Sequence, residues 1–265
     1  MEEGCRMFEH ITPVILTYNE APNIIRTLDQ LYWAKDIVVV DSYSSDDTLT
    51  RASSYPQVRI FQRKFDSHAD QWNFAVKETQ IKTEWVLALD ADYVLSDELI
   101  RELKVLHLDP ATAGFRTKFI YCVLGRRLRG TVYPPVTVLY RHESALYRQD
   151  GHTQRVSIDG DIADLKSPIF HDDRKSLGHW LLSQDRYMRL EADTLSKSPW
   201  TEIGWADRLR KTRFLFPFVM FFYCLFVKGA VLEGRAGLYY SFQRMLAEII
   251  LSLRLLEKDI AMVKK

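Results

Sequence analysis

The sequence predicts an α/β fold built on a mostly parallel, doubly wound sheet with helices on both faces, followed by a separate helical segment. Three observations predict it. Short apolar runs, the first rich in β-branched residues, recur at 12–17 (TPVILT), 36–40 (DIVVV) and 85–89 (WVLAL). Segments with helical spacing of apolar residues, 23–32 and 69–79, lie between them. Each run also ends in a polar, acid-bearing loop, the arrangement expected where strands covered on both faces deliver a site at their carboxyl ends.

Taken in order, 12–17 reads as a first strand and 23–32 as the helix that returns from it, with Ile24, Ile25, Leu28, Leu31 and Tyr32 on one stripe. Residues 36–40 form a second strand that opens into the loop 41–48. Residues 58–62 form a short third strand, 69–79 a helix, and 85–89 a buried strand ending at Asp90. After about residue 110 the pattern shifts to shorter β-like pieces, 114–122 and 131–140, on either side of the basic stretch GRRLRG at 125–130. A helix over 177–195 and a last amphipathic helix near 238–256 complete the reading. The expected division is a domain over 8–200 and a helical, aromatic and basic region over 201–265.

Composition narrows the function. With 36 Lys plus Arg against 35 Asp plus Glu the net charge is +1, which disfavours nucleic acid as a partner held by bulk electrostatics. A 47% hydrophobic content with only 11 Gly and 9 Pro excludes disordered and collagen-like chains. Cys5, Cys122 and Cys224 are odd in number and far apart, so neither a disulfide framework nor a clustered zinc site is expected. A reducing compartment follows. No apolar run precedes Ile11, so the expected location is the cytoplasm, on the cytoplasmic face of the inner membrane.

The charge is unevenly spread, with 25 bases against 29 acids in 1–200 and 11 against 6 in 201–265. In the basic part, residues 214–227 are fourteen uncharged residues, seven of them Phe or Tyr. That is shorter than the roughly 18 to 20 residues a spanning helix needs. With Arg208, Arg210, Lys211, Arg213 and Lys228 beside it, the segment fits a helix or helical hairpin lying at the surface of an anionic membrane. Arg126, Arg127 and Arg129 form a second basic group suited to an anionic acceptor or to lipid headgroups.

The sharpest chemical feature is Asp90-Ala91-Asp92. Two carboxylates two residues apart at the mouth of a buried strand can share one Mg2+ or Mn2+, and that cation can hold a diphosphate. Neither a Gly-x-Gly-x-x-Gly turn nor a Gly-x-x-x-x-Gly-Lys loop is present, so a dinucleotide-binding dehydrogenase and a P-loop NTPase fit poorly. His171-Asp172-Asp173-Arg174-Lys175 concentrates further metal-binding and phosphate-binding residue types.

Three ordered blocks, VILTYNEAPNI, IVVVDSYSSDDT and HADQWNFAVKETQIKTEWVLALDADYVLSDEL, resemble the inverting family 2 glycosyltransferases with the GT-A fold. The resemblance is greatest to the branch containing the lipopolysaccharide-core glucosyltransferase. It implies a metal-dependent enzyme that moves a sugar from a nucleotide-diphosphate donor, a UDP-sugar, onto a glycan or glycolipid acceptor of the cell envelope. It places Thr17, Tyr18, Glu20 and Asp41 around the base and ribose, and Gln71 and Asn73 on a helix near the donor loops. Asp90 faces ribose and metal, Asp92 ligates the metal, His171 completes the metal shell and Arg174 steadies the diphosphate.

This chain departs from the family's pattern in two places. Its second loop has Ser42 and Tyr43 where the family often has a second acid and a Gly. Where relatives of this branch have His-Glu it reads Asp150-Gly151-His152-Thr153-Gln154, so the general base that inversion requires falls to Asp150, with His152 next. Two alternatives accompany this reading: a non-catalytic glycan- or membrane-binding scaffold derived from a transferase, and a nucleotidyltransferase.

Overall fold

The computed structural model describes residues 7–150 and 153–263, which form two compact units. One holds the residues up to 124 together with 133–174; the other holds 125–132 and the residues from 175 onward.

The first unit is organised by a seven-stranded sheet. Its parallel heart is β1 (Ile11–Thr17), β2 (Ile37–Asp41), β3 (Val58–Gln62) and β4 (Trp85–Asp90). Helices α1 (Ile24–Asp29), α2 (Thr48–Ala52) and α3 (His68–Lys77) connect these strands, and α4 (Asp97–Lys104) follows them. Every residue of β2 is buried, because alternate side chains enter different cores. Ile37 and Val39 pack with Ile11, Ile15, Trp85 and Leu87 under α1 and α4. Val38 and Val40 pack on the opposite face with Val14, Val86 and the α3 residues Ala69, Trp72, Ala75 and Val76. Ser67 caps α3 by accepting from the Asp70 N–H at 3.1 Å, and Ser96 caps α4 by accepting from the Leu99 N–H at 3.0 Å.

β5 (Tyr93–Leu95) follows β4, and β6 (Thr112–Thr117), β7 (Phe119–Val123), β9 (Val136–Arg141), β10 (Ala145–Asp150), β11 (Thr153–Ile158), β12 (Asp161–Asp164) and β13 (Ile169–His171) complete the strands of this unit. A two-residue strand, β8 (Arg126–Arg127), belongs to the second unit. The main sheet runs β12-β6-β9-β4-β1-β2-β3, and β9 is antiparallel to both of its neighbours. β13 pairs with β5 and with β7 in a small second sheet, and β10 and β11 form an antiparallel hairpin. The α/β architecture and mostly parallel sheet agree with the expected GT-A class.

Register decides the site. Thr17 pairs with Asp41 and Leu16 with Asp90, so β1, β2 and β4 end in one row. Tyr93 pairs with His171, which brings the segment after β13 to the segment after β4.

In the second unit, α5 (Leu177–Lys197) packs Ala192 and Leu195 against Leu251 and Leu255 of α8 (Gly234–Val263). Arg254 pairs with Asp185, and Lys258 with Asp193, along the same seam. Helical spacing announces α5, and two of its apolar residues are covered by α8, so by its contacts this helix groups with the residues that follow it. Between them lie α6 (Trp205–Arg210), α7 (Phe216–Phe222), a π-helical turn at Tyr223–Val227 and a 3-10 turn at Ala230–Glu233. Gly237 lets the first turns of α8 approach that 3-10 turn, since a Cβ there would meet the Ala230 carbonyl oxygen at 1.8 Å.

Two of the cations expected at a membrane have partners within the unit. Arg210 bonds Glu248 at 2.7 Å and Arg213 bonds Asp259 at 2.8 Å. Among the described residues no single helix is long and apolar enough to cross a membrane. The pair 216–227 and 230–261, bent by 70°, has the required length and apolar character when taken together.

Candidate active site

The loops after β1 and β2 are tied to one another. Asp41 is 0% exposed, and its carboxylate accepts from Thr17 Oγ1 at 2.8 Å, Ser44 Oγ at 2.5 Å and the Ser44 N–H at 2.8 Å. The Asn19 N–H donates to Ser44 Oγ at 2.8 Å, the Ser45 N–H to Asn19 Oδ1 at 2.8 Å and the Glu20 N–H to Thr48 Oγ1 at 2.7 Å. The Ala21 N–H reaches Asp46 at 3.1 Å. Burial pushes the Asp46 carboxyl up, but donors from Thr48 and Ala21 outweigh it and hold the carboxyl below its usual range. Thr17 and Asp41, expected against the nucleotide, lie beneath the loop surface and bond to each other. Tyr18, at 51% exposure, and half-buried Glu20 are the side chains the first loop presents.

Tyr43 stands at φ 60° and is 58% exposed. A residue with a Cβ is strained there, which accounts physically for glycine in the pattern that this loop resembles. Tyr43→Gly is expected to raise stability by about 0.5–1 kcal/mol, since release of strain outweighs glycine's greater unfolded-state entropy and little packing is lost. A thermal melt checks this, and an unchanged or lower melting temperature would contradict it.

Asp90 closes β4, and Asp92 follows two residues later. Asp92 Oδ2 lies 3.1 Å from His171 Nε2. Four aromatic rings, Tyr93, Phe119, Tyr121 and Tyr133, surround the imidazole at centroid distances of 5.1 to 5.8 Å and fix its plane. Burial pushes His171 down, but the Asp92, Asp90 and Asp173 carboxylates offset this and leave its pKa raised. Tyr93 is pushed well up, by burial first and then by Asp90 and Asp92, with a hydrogen bond to Asp90.

Among the described residues no group of three or more His, Cys, Asp or Glu side chains forms a cage able to hold a metal ion by itself. Asp92 Oδ2 and His171 Nε2, 3.1 Å apart, are donor types that Mn2+ or Mg2+ accept, and such a pair would leave the remaining coordination positions to ligand phosphate and water.

Behind this group lies a network that the sequence reading did not find. Asn23 is 0% exposed and donates through Nδ2 to Glu20 Oε2 at 2.8 Å and to Asp173 Oδ1 at 2.9 Å. Its Oδ1 accepts from Arg26 Nη2 and from the Arg174 N–H, each at 2.8 Å. Arg26 also donates to the Asp172 carbonyl at 2.8 Å. Asn23 therefore joins the loop after β1 to the segment after β13. The signal available in sequence was the Asn-x-x-Arg spacing at the start of α1, which sets both side chains on one face. Arg174, expected at the diphosphate, turns its guanidinium to Asp172, with Nε 2.9 Å from both carboxylate oxygens.

Gln71 and Asn73, expected on a helix near the donor loops, both lie on α3. Gln71 is 1% exposed; its Oε1 accepts from Arg63 Nη1 at 2.7 Å and its Nε2 donates to Ser42 Oγ at 3.1 Å. Asn73 exchanges two bonds with the backbone of Tyr147. Both act behind the loops. Asp150 ends β10 opposite Thr153, and His152 lies outside the described residues.

Sheet and acidic edge together define a class: an α/β protein with its ligand site at the carboxyl ends of parallel strands. The chain matches the model of glycosyl transferase family 2 over residues 12–160 and belongs to that family. It is similar to an uncharacterized glycosyltransferase of Rickettsia bellii, 35% identical over 97 residues, which are 36% of this chain and 32% of that protein. It is also similar to the O-antigen chain rhamnosyltransferase RfbN of Salmonella typhimurium, 25% identical over 194 residues, 67% of this chain and 59% of that protein. Against the Rickettsia relatives the alignment spans about a third of their length. A solved structure of S. aureus TarS 1-349 with UDP-GlcNAc is 15% identical at TM-score 0.48, covering 95% of this chain and 91% of that one. Glucosyl-3-phosphoglycerate synthase from Mycobacterium tuberculosis is 15% identical at TM-score 0.46, covering 76% and 84%.

Proposed function

We propose that this chain is a metal-dependent inverting glycosyltransferase that moves a sugar from a UDP-sugar onto a hydroxyl of a lipid-linked or cell-envelope glycan. The observation that carries the reading is the acidic edge itself: Asp90 and Asp92 at the end of a buried strand, His171 3.1 Å from Asp92, and two laced loops beside them. Asp92 and His171 would hold Mn2+ or Mg2+ with Asp90 in support, and the ion supplies neutralisation of the departing diphosphate. Glu20 and Tyr18 would meet the ribose and base, and Asp150 would take the acceptor proton. Similarity to an O-antigen chain rhamnosyltransferase supports an envelope glycan as acceptor.

The test is release of nucleoside diphosphate from a panel of UDP- and dTDP-sugars, with manganese and then with excess chelator. Chelator-sensitive UDP release supports the reading. UDP bound with no cleavage by any donor or acceptor would favour the scaffold, and pyrophosphate as product the nucleotidyltransferase.

The second unit would place the enzyme on the cytoplasmic face of a membrane. Phe218, Phe222 and Phe226 are 54% to 61% exposed, Val227 is 71% and Leu232 81% exposed, an unusual concentration of apolar side chains in solvent. Since Arg210 and Arg213 are engaged within the unit, apolar burial supplies most of the attraction. Replacing Phe222 and Phe226 together with Ser should lower partitioning to phosphatidylglycerol-containing vesicles about tenfold or more, given roughly 1.5–3 kcal/mol per buried large apolar side chain. Flotation of vesicles with the variant at wild-type yield would rule this surface out.

A further inference from the structure

Helix α3 presents three consecutive residues to two different parts of the site. Gln71 holds the second donor loop through Ser42, the neighbour of Asp41. Trp72 stacks on the ring of Tyr147, with centroids 5.3 Å apart and planes 10° apart. Asn73 Nδ2 donates to the Tyr147 carbonyl at 2.9 Å, and the Tyr147 N–H donates to Asn73 Oδ1 at 3.0 Å. One side-chain amide thus takes up both backbone groups of one strand residue, as a neighbouring strand would.

Tyr147 is itself fixed. It is 6% exposed and its hydroxyl lies 2.8 Å from that of Tyr140 on β9. Burial pushes its hydroxyl pKa well up, with Tyr140 and Asp90 adding to the effect, so the acidic edge is within electrostatic reach. Asp150 lies three residues further along β10, about 10 Å at a strand's rise per residue. A rigid helix therefore sets donor loop and hairpin at a fixed separation.

We propose that Asn73 is a positioning residue for transfer: by clasping Tyr147 it sets where the β10–β11 hairpin stands relative to the donor loops. Gln71, on the same turn, sets the donor loop alone. The proposal rests on the reading of the hairpin as the carrier of the base, Asp150, and it deepens that reading.

The experiment compares Asn73→Ala, Gln71→Ala and Asp150→Ala in the full chain. The readouts are steady-state UDP release from the best donor of the panel, calorimetric binding of UDP with manganese, and hydrogen exchange of residues 145–158. Asn73→Ala should lower kcat about 10- to 100-fold, the range for a reacting group displaced by about an ångström. Its donor KM and UDP affinity should stay within about twofold, while hairpin exchange accelerates. Gln71→Ala should show the opposite split, with a donor KM about 5- to 10-fold higher and a nearly unchanged kcat.

A general weakening of α3 would move both parameters in both variants. The proposal is overturned if Asn73→Ala raises donor KM as Gln71→Ala does, or if hairpin exchange accelerates while kcat stays at the wild-type value. If Asp150→Ala keeps the wild-type kcat while Asn73→Ala loses it, the base assignment fails and the positioning role stands.

Discussion

Asp92→Ala is expected to lower sugar transfer by about three orders of magnitude or more, since in the proposed reading it removes the ligand that would fix the charge-neutralising ion against the diphosphate. The fold should survive. Asp92 is at a loop between β4 and β5, its Oδ2 partner is His171, and neither residue belongs to the hydrophobic clusters of the sheet. The melting temperature should therefore stay within about 3 °C, equivalent to roughly 1 kcal/mol for a chain of this size. Asp92→Asn, which keeps the shape and removes the charge, should lose most of the activity as well. UDP release measured across a manganese titration checks both. A folded Asp92→Ala protein with normal turnover at any manganese concentration would end the metal assignment.

Asn23→Ala should produce the largest loss of stability among the polar substitutions considered, about 3–4 kcal/mol, because a fully buried amide with four hydrogen bonds is removed from among charged groups. A fall in melting temperature of roughly 8–12 °C follows. The effect should extend to function. Asn23 is bonded to Glu20 on one side and to Asp173 on the other, so UDP affinity should fall with stability even though Asn23 itself is shielded from the donor. A differential scanning measurement with and without UDP and manganese separates the two losses. A melting temperature within about 2 °C of wild type would show that the network reorganises without cost.

The strands were legible because full burial on both faces leaves an unmistakable record: IVVV at 37–40 and WVLAL at 85–89 have no polar side to hide. The acidic pair at 90 and 92 was legible for the same reason, since a carboxylate directly after such a run must sit at the sheet's edge. What the sequence could not convey was the direction in which a polar side chain points. Asp41, Gln71 and Asn73 have the composition of ligand-binding residues, yet each turns inward to brace a loop or a hairpin. The partner that makes this intelligible for Asn73 is Tyr147, 74 residues away. Helix α5 was visible from its periodicity, but periodicity says that a stripe is covered and not by what. Its assignment to the second unit depended on Leu251 and Leu255 of α8.

Under the donor-binding role proposed for the β1 and β2 loops, their stitching has a consequence for how donor preference can change. Asn19, Glu20 and Ala21 on one loop depend on Ser44, Thr48 and Asp46 on the other, so substitutions on the two sides should be thermodynamically non-additive, with coupling energies of about 0.5–3 kcal/mol in a double-mutant cycle. A single change toward a new nucleotide would disturb both loops at once. Retuning this edge of the protein therefore calls for paired substitutions, and its sequence neighbourhood should contain few one-step routes from one donor to another.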